Sequence, residues 1–373
     1  MSENEHGAKT FVTQLTPTAP AAIAVIEIAG PLAESWLIKC WRPATDLPKR
    51  IGDIRYGVWT GTPNGENGQT QQTIASEDVI VCWTESQAVE VHCHGGKQAA
   101  SRIIGDLNTL GAINRSMQAR LSDQIADPIA VAAMMDLNKA TTEMTTSILL
   151  DQFRGALSKR FAEIDQHMRQ GNKREALSMI EELLSRRNIG LHLTQPWRLA
   201  IVGPPNAGKS SLLNAILGYD RAIVDSKAGT TRDALNEHTS LLGWPFVIVD
   251  TAGLRASKDP IEVEGVHRAH ATIKTSDIVL LIVEPHEGWT AWHERVYQAN
   301  PAKCLVVHSK SDLAVSTPTI PNGIESIRVS AQARAGIEEL YQAIIAKLIP
   351  NPPQPGEPIP FRNEHLSTLE KWK

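Results

Sequence analysis

The sequence has little cysteine and no pattern in it. Cys40, Cys82, Cys93 and Cys304 are scattered, with no C-x-x-C pair. This fits a reduced, cytoplasmic setting better than a disulfide framework. Long apolar runs are also lacking: no window reaches the ~20 residues of a membrane-spanning helix, so no membrane partner is expected. The start, Met1 to Lys9, is polar and has no signal-peptide core. A strong excess of one charge is missing as well. At a net charge of −4 there is no general basic surface, and any nucleic-acid contact must use a local patch. What is present is apolar material, 42% of 373 residues, enough for packed cores in two or three domains and too much for a disordered chain.

The most informative stretch begins at Leu199-Ala200-Ile201-Val202, an apolar run that reads as a buried strand. Gly203-Pro204-Pro205-Asn206-Ala207-Gly208-Lys209-Ser210 follows, a full G-x-x-x-x-G-K-[ST] match, and Ser211 to Leu217 has helical spacing. Strand, glycine loop and helix together form a phosphate cradle. The glycines let backbone N–H groups from Asn206, Ala207, Gly208 and onward through Ser211 turn toward an anion. Lys209 supplies positive charge, and the Ser210 hydroxyl is a Mg²⁺ ligand.

Motifs downstream keep the order of a nucleotide domain. Strands are expected at 246–249, 278–283, 304–308 and 327–329, with helices at 262–274, 289–298 and 337–348. This alternation predicts a doubly wound α/β domain whose ligand sits at the carboxyl ends of the strands. Asp250-Thr251-Ala252-Gly253 follows a strand, where Asp250 can serve the Mg²⁺ shell and the Gly253 amide the γ-phosphate. Gly229-Thr230-Thr231 lies in a polar loop, and the Thr231 hydroxyl can complete the metal shell. Lys310 and Asp312 end another strand. The Asp312 carboxylate accepts from guanine N1–H and N2–H₂, which adenine does not offer. Ser330-Ala331 is placed to meet guanine O6. GTP, hydrolysed to GDP and phosphate, is the nucleotide this set predicts.

Two positions depart from common GTPase usage. Ser309 stands where asparagine is usual, and is expected to lose an amide that braces the phosphate loop and the purine. Leu254 stands where a water-orienting glutamine is common, and an arginine finger would be worth about 10³ to 10⁵ in rate. Asn206 is a residue type that helps hold a monovalent cation beside the phosphates. The loop through Asp225, Lys227 and Thr230 can add carbonyl ligands, placing K⁺ where a finger's charge would sit. Glu262 is the candidate for positioning the attacking water; the other reading is a first-turn carboxylate favoured by the helix dipole.

The first third mixes strands at 10–16, 23–28, 79–83 and 88–93 with helices at 32–41 and 97–110, a small α+β domain. His92-Cys93-His94 is either a metal site or, more simply, a strand end turning at Gly95-Gly96 into the next helix. Glu90 is a solvated strand residue or a pocket carboxylate. From 122 to 185 the signal is helical. One long stripe runs through Leu149, Phe153, Leu157, Phe161, Ile164 and Met168, and a second through Ala176, Leu177, Ile180 and Leu184, with Gly171-Asn172 between them.

On these motifs the chain resembles the MnmE (TrmE) family of tRNA-modification GTPases, of the Era-related group. The resemblance rests on Gly203 to Asn214, Ala228 to Asp233 and Asp250 to Arg255. More specific are Thr16-Pro17 with Ile23 to Ile26 and Gly30, and Glu90 to Gly96. It implies a K⁺-stimulated GTPase working as a homodimer. It also implies a flavin-dependent partner enzyme and a one-carbon folate (5-formyl-tetrahydrofolate) acting on the wobble uridine of tRNA. By the resemblance Asn206 is the potassium ligand, Ser210 and Thr231 are magnesium ligands, Glu262 is the catalytic glutamate and Glu90 a folate residue. The expected layout is an α+β domain at 1–118, a helical segment at 119–195, a GTPase domain at 196–350 and a Pro-rich linker with a short tail at 351–373. Departures are Glu27 where the family has arginine, Ile125 where it has lysine, and no second helical segment or closing C-x-G-K. Glu27 is expected to repel an anionic folate. The alternative function is a GTP-regulated binding module of the same family that has lost folate-dependent modification.

Overall fold

The computed structural model describes residues 9–18, 21–45, 50–62, 76–219, 236–249, 272–313 and 320–373. The chain divides into two compact units, Met1–Val131 and Ala132–Lys373.

The first unit is built from β1 (Phe11–Gln14), β2 (Ile23–Ala29), α1 (Ala33–Cys40), β3 (Trp41–Pro43), β4 (Ile54–Trp59), β5 (Glu77–Glu85), β6 (Ala88–His94), α2 (Lys97–Thr109), β7 (Ile113–Asn114) and α3 (Met117–Gln124). Its seven strands form one sheet in the order β3-β4-β5-β6-β2-β1-β7, antiparallel except for β1 with β7. Alternation along β2 and β6 turns Ala24, Ile26 and Ile28, and Val89, Val91 and Cys93, into one core. Trp36 and Leu37 of α1 and Ile103 and Leu107 of α2 join the same cluster. Period-2 patterning in the strands and period-3.6 patterning in the helices therefore meet on one face of the sheet. The opposite side carries Glu27, Glu90 and His92. The helix expected at 32–41 stops at Cys40, because Trp41 pairs with Trp59 and opens β3. β4 was not legible: Gly57 interrupts its apolar pattern.

Helix α4 (Pro128–Leu137) spans the division between the units. The second unit continues with α5 (Glu143–Phe153), α6 (Ala156–Arg169), α7 (Lys173–Ser185), α8 (Arg187–Leu191), β8 (Trp197–Val202), α9 (Lys209–Tyr219), β9 (Glu237–Leu241), β10 (Trp244–Ile248), β11 (Ile278–Val283), α10 (Ala291–Ala299), β12 (Cys304–His308), β13 (Ser326–Arg328), α11 (Ile337–Leu348) and α12 (Asn363–Trp372). Six strands form a sheet in the order β13-β12-β11-β8-β10-β9, parallel except for the β9–β10 pair. β11 and β12 are buried along their whole length, as continuous apolar strands covered on both faces are.

The long stripe expected from Leu149 to Met168 is two helices, interrupted at Arg154-Gly155 between α5 and α6. Leu149, Leu157 and Ile164 are still buried, as are Ala176, Ile180 and Leu183 of α7. The stretch expected as linker and tail is also built into this helical body. Gln152, fully buried, donates from Nε2 to the Glu357 carbonyl at 3.0 Å and accepts from Ile359 N–H at 3.1 Å, pairing with tail backbone as a strand neighbour would. Arg362 donates to the buried Asp136 carboxylate at 2.7 Å and to the Ala132 carbonyl at 2.9 Å. Phe361, Leu366 and Leu369 are buried, and Trp372 meets Phe161 with ring centroids 5.4 Å apart.

Candidate functional site

β8 lies between β10 and β11 and is parallel to both, so its carboxyl end opens at the middle of the sheet edge, where nucleotides bind in such sheets. The loop 203–208 leaves there. Gly203 packs so closely on β11 that a Cβ would stand 3.0 Å from both the Ile282 Cβ and its carbonyl oxygen. At the other end of the loop Asn206 has φ +63° and Gly208 φ +89°. Two left-handed residues flanking Ala207 bend the loop back on itself, a shape that gathers N–H groups on one side. The Lys209 ammonium is held over this loop by the Gly203 carbonyl at 3.0 Å and the Pro204 carbonyl at 2.7 Å. Burial lowers its pKa from the ordinary lysine value, since desolvation disfavours the charge. Ser210 and Ser211 occupy the first turn of α9.

The residues expected to read the base follow the ends of β12 and β13, beside the end of β11. Ser309 follows β12; its Oγ donates to the Ala207 carbonyl at 2.7 Å, and both residues are buried. The loss expected for serine at this place is thus only partial: the tie to the phosphate loop is kept by a hydroxyl. Lys310, at φ +54°, sets its ammonium 2.8 Å from Glu284 Oε2. The Asp312 carboxylate accepts from Ser330 Oγ at 2.5 Å, and Ser330 Oγ accepts in turn from Ala333 N–H at 3.0 Å. Ala331 is next in chain to this anchor. Asn206 to Ser210 follow β8, Lys310 and Asp312 follow β12, and Ser330 follows β13, so all lie beyond the carboxyl ends of parallel strands of one sheet. Asp225, Lys227, Gly229, Thr230, Thr231, Asp250, Gly253 and Glu262 lie outside the described residues.

Two supporting residues escaped the sequence reading. Glu284 directly follows β11; an acidic residue after six apolar strand positions was the available signal. His293 is fully buried and its Nε2 donates to the Ile282 carbonyl at 3.0 Å, while Nδ1 accepts from Thr290 N–H at 3.1 Å. Burial lowers its pKa. This neutral imidazole fixes the strand on which Gly203 packs.

In the other unit, Glu27 is buried and paired. Arg120 reaches both its oxygens at 2.8 Å, and Arg115 lies at 3.1 Å. The hydrogen bonds to Glu27 raise the Arg120 pKa, with the charges of Glu27, Glu90 and Glu85 adding to this. Glu27 is therefore not the isolated repelling charge expected; two guanidiniums offset it. Glu90 lies 3.0 Å from His92 Nε2, and His94 Nδ1 2.6 Å from Glu77. Ile125 caps the end of α3. Neither Glu27 nor Ile125 is a cation, Arg120 is engaged by Glu27, and Arg115 is shared between Glu27 and Asp123, the latter at 2.8 Å. The residues present do not fit an anionic folate. Among the described residues no cluster of three or more His, Cys, Asp or Glu side chains suits a metal ion, and no helix is long and apolar enough to cross a membrane.

Residues 198–310 match the family described as 50S ribosome-binding GTPase. Over the longer chain, the sequence is 30% identical to the tRNA modification GTPase MnmE of Synechococcus sp. (strain WH7803), covering 93% of this chain and 83% of that protein. It is 30% identical to the MnmE of Chloroflexus aurantiacus over 91% of this chain and 82% of that one. The MnmE of Shewanella frigidimarina is 31% identical, over 89% and 81%. Among solved structures, Era in complex with MgGDPNP and 16S ribosomal RNA nucleotides aligns at 26% identity and a TM-score of 0.30, over 42% of this chain and 58% of that one.

Proposed function

The chain belongs to the MnmE family of tRNA modification GTPases, and on that premise we propose that its GTP cycle drives a step in the modification of tRNA, with the wobble uridine as the position acted on. It binds GTP and hydrolyses it to GDP and phosphate. The observation that carries the reading is the phosphate loop between β8 and α9, tied through Ala207 and Ser309 to the strand that presents Asp312. One rigid edge thus joins the phosphate-holding and base-reading groups, as binding of a whole nucleotide requires.

The chain's own groups divide the work. Lys209 and the N–H groups from Asn206 to Ser211 hold the phosphates, Ser210 and Thr231 ligate Mg²⁺, and Asp250 and Gly253 serve the metal shell and the γ-phosphate. Asn206, with Asp225, Lys227 and Thr230, holds K⁺, which when bound supplies the charge an arginine finger would supply. Glu262 orients the attacking water. A homodimer and a flavin-dependent tRNA-modifying enzyme are the partners. Burial pushes the Cys40, Cys93 and Cys304 thiols up to about 11, which suits inert thiols in a reduced, cytoplasmic setting.

A second reading is favoured by one feature. Because Arg120 is committed to Glu27 and Arg115 is shared between Glu27 and Asp123, the chain is a GTP-regulated member of the family without the folate-dependent step. Comparing wobble-uridine modification in cells with and without this protein decides between the two. Modification lost with the protein supports the first reading, and unchanged tRNA supports the second.

A further inference from the structure

We infer that Ser309 braces the phosphate loop with the one donor it has, and so leaves guanine N7 unread by this position. The inference deepens the GTP-binding reading and rests on it. Ser309 is fixed at both ends. Its backbone N–H donates to the Val283 carbonyl at 3.0 Å, and its Oγ donates to the Ala207 carbonyl at 2.7 Å. Its Cβ also lies 3.6 Å from where a Cβ on Gly208 would stand, so serine packs against the turn that shapes the loop.

A hydroxyl has one hydrogen to give, whereas a side-chain amide has two. An amide in this place can hold the loop carbonyl and still donate to the base; the serine hydroxyl, spent on a buried carbonyl, cannot. Guanine presents N7 and O6 as acceptors on one edge, and its N1–H and N2–H₂ donors on another. Asp312, an acceptor positioned by Ser330 at 2.5 Å, reads the donor edge. The neighbouring Lys310 ammonium is engaged by Glu284 at 2.8 Å. Selection of the base accordingly falls on the donor edge, and Ser309 acts as a positioning residue for the phosphate loop, not as a reader.

The test is calorimetric titration of the full chain with Mg²⁺ and GTP, 7-deaza-GTP or ITP. The wild type is expected to bind 7-deaza-GTP within about twofold of GTP and to bind ITP, which lacks the 2-amino group, about tenfold more weakly. Ser309→Asn is expected to bind GTP more tightly and to weaken about fivefold for 7-deaza-GTP. Ser309→Ala is expected to weaken GTP, GDP and 7-deaza-GTP alike, by about tenfold, because the Ala207 carbonyl is left unpaired. Wild-type discrimination against 7-deaza-GTP of more than about fivefold would overturn the inference. So would an N7-insensitive asparagine variant, or an alanine variant as tight as wild type. If the folded wild type binds none of the three nucleotides, the GTP reading itself falls, and this inference with it.

Discussion

Glu27 and Glu90 stand directly opposite each other across β2 and β6. Like charges in that relation are destabilising, and here each is met by a partner: Glu27 by Arg115 and Arg120, Glu90 by His92. The Glu27 side chain is only 6% exposed, so its charge depends on the arginines. Arg120→Ala is expected to lower the unfolding free energy by about 2 kcal/mol, less than the roughly 3–5 kcal/mol for an abandoned buried charge, because Arg115 remains. Urea unfolding checks this, and Glu27→Gln in the same chain should recover part of the loss. Unchanged stability in Arg120→Ala would show that the pair carries nothing.

The same arrangement predicts the response to folate. With Arg120 on Glu27, Arg115 shared between Glu27 and Asp123, and Ile125 in place of a cation, titration of the full chain with 5-formyl-tetrahydrofolate is expected to give no saturable heat. Saturable binding in the micromolar range, about −8 kcal/mol, would mean that these guanidiniums can leave Glu27 for a ligand.

Acid should weaken the second unit in a definable window. His293 and His308 are both held below their ordinary pKa of 6.5, chiefly by burial, with Arg328 adding to it for His308. Once the pH falls through about 6.5 the unfolded chain takes up protons that the folded chain does not, so stability is full above that pH and declines below it. Asp136 and Asp277 act in the same direction. Burial opposes ionisation in both, but for Asp136 the bonds from Arg362 and Lys139, and for Asp277 those from His192 and Arg198, hold the carboxyl below its usual 3.8. Their contribution is therefore lost only at lower pH. Urea midpoints should fall between pH 7 and pH 5, and His293→Gln should flatten part of that slope. A midpoint that rises on acidification would contradict the assignment.

The tail is predicted to hold the helical body together. Arg362→Ala leaves Asp136, with a side chain 4% exposed, to Lys139 alone. A cost of about 2–3 kcal/mol is expected in urea unfolding. A variant with wild-type stability would mean that the Gln152 clamp and the buried Phe361, Leu366 and Leu369 suffice.

The phosphate loop was legible because its chemistry is local: a strand, two glycines, a lysine and a hydroxyl in one contiguous run. Asp312 and Ser330 were legible for the same reason, each read from its place after an apolar strand. What local pattern could not supply were partners distant in the chain. Serine at 309 looked like a loss until it came to lie against Ala207, about a hundred residues away. Glu27 looked repulsive until Arg115 and Arg120 were folded onto it. The tail at 351–373 looked like a linker because prolines mask a packing role; only the tertiary position of Gln152 and Asp136 reveals it. The stripe from Leu149 to Met168 looked continuous because the helix break at Arg154-Gly155 leaves the helical period nearly in step.

The central claim is that the loop between Val202 and Ser210 takes the phosphates of GTP for hydrolysis. Phosphate release by the full chain with Mg²⁺ and K⁺, given GTP or ATP, measures it most directly, beside Lys209→Ala. Turnover of GTP, little of ATP, and none by the alanine variant are expected, and the variant's fold should persist because, among the described residues, the Lys209 ammonium bonds carbonyls of its own loop. Equal turnover of ATP and GTP, or GTP turnover undiminished in Lys209→Ala, would contradict it.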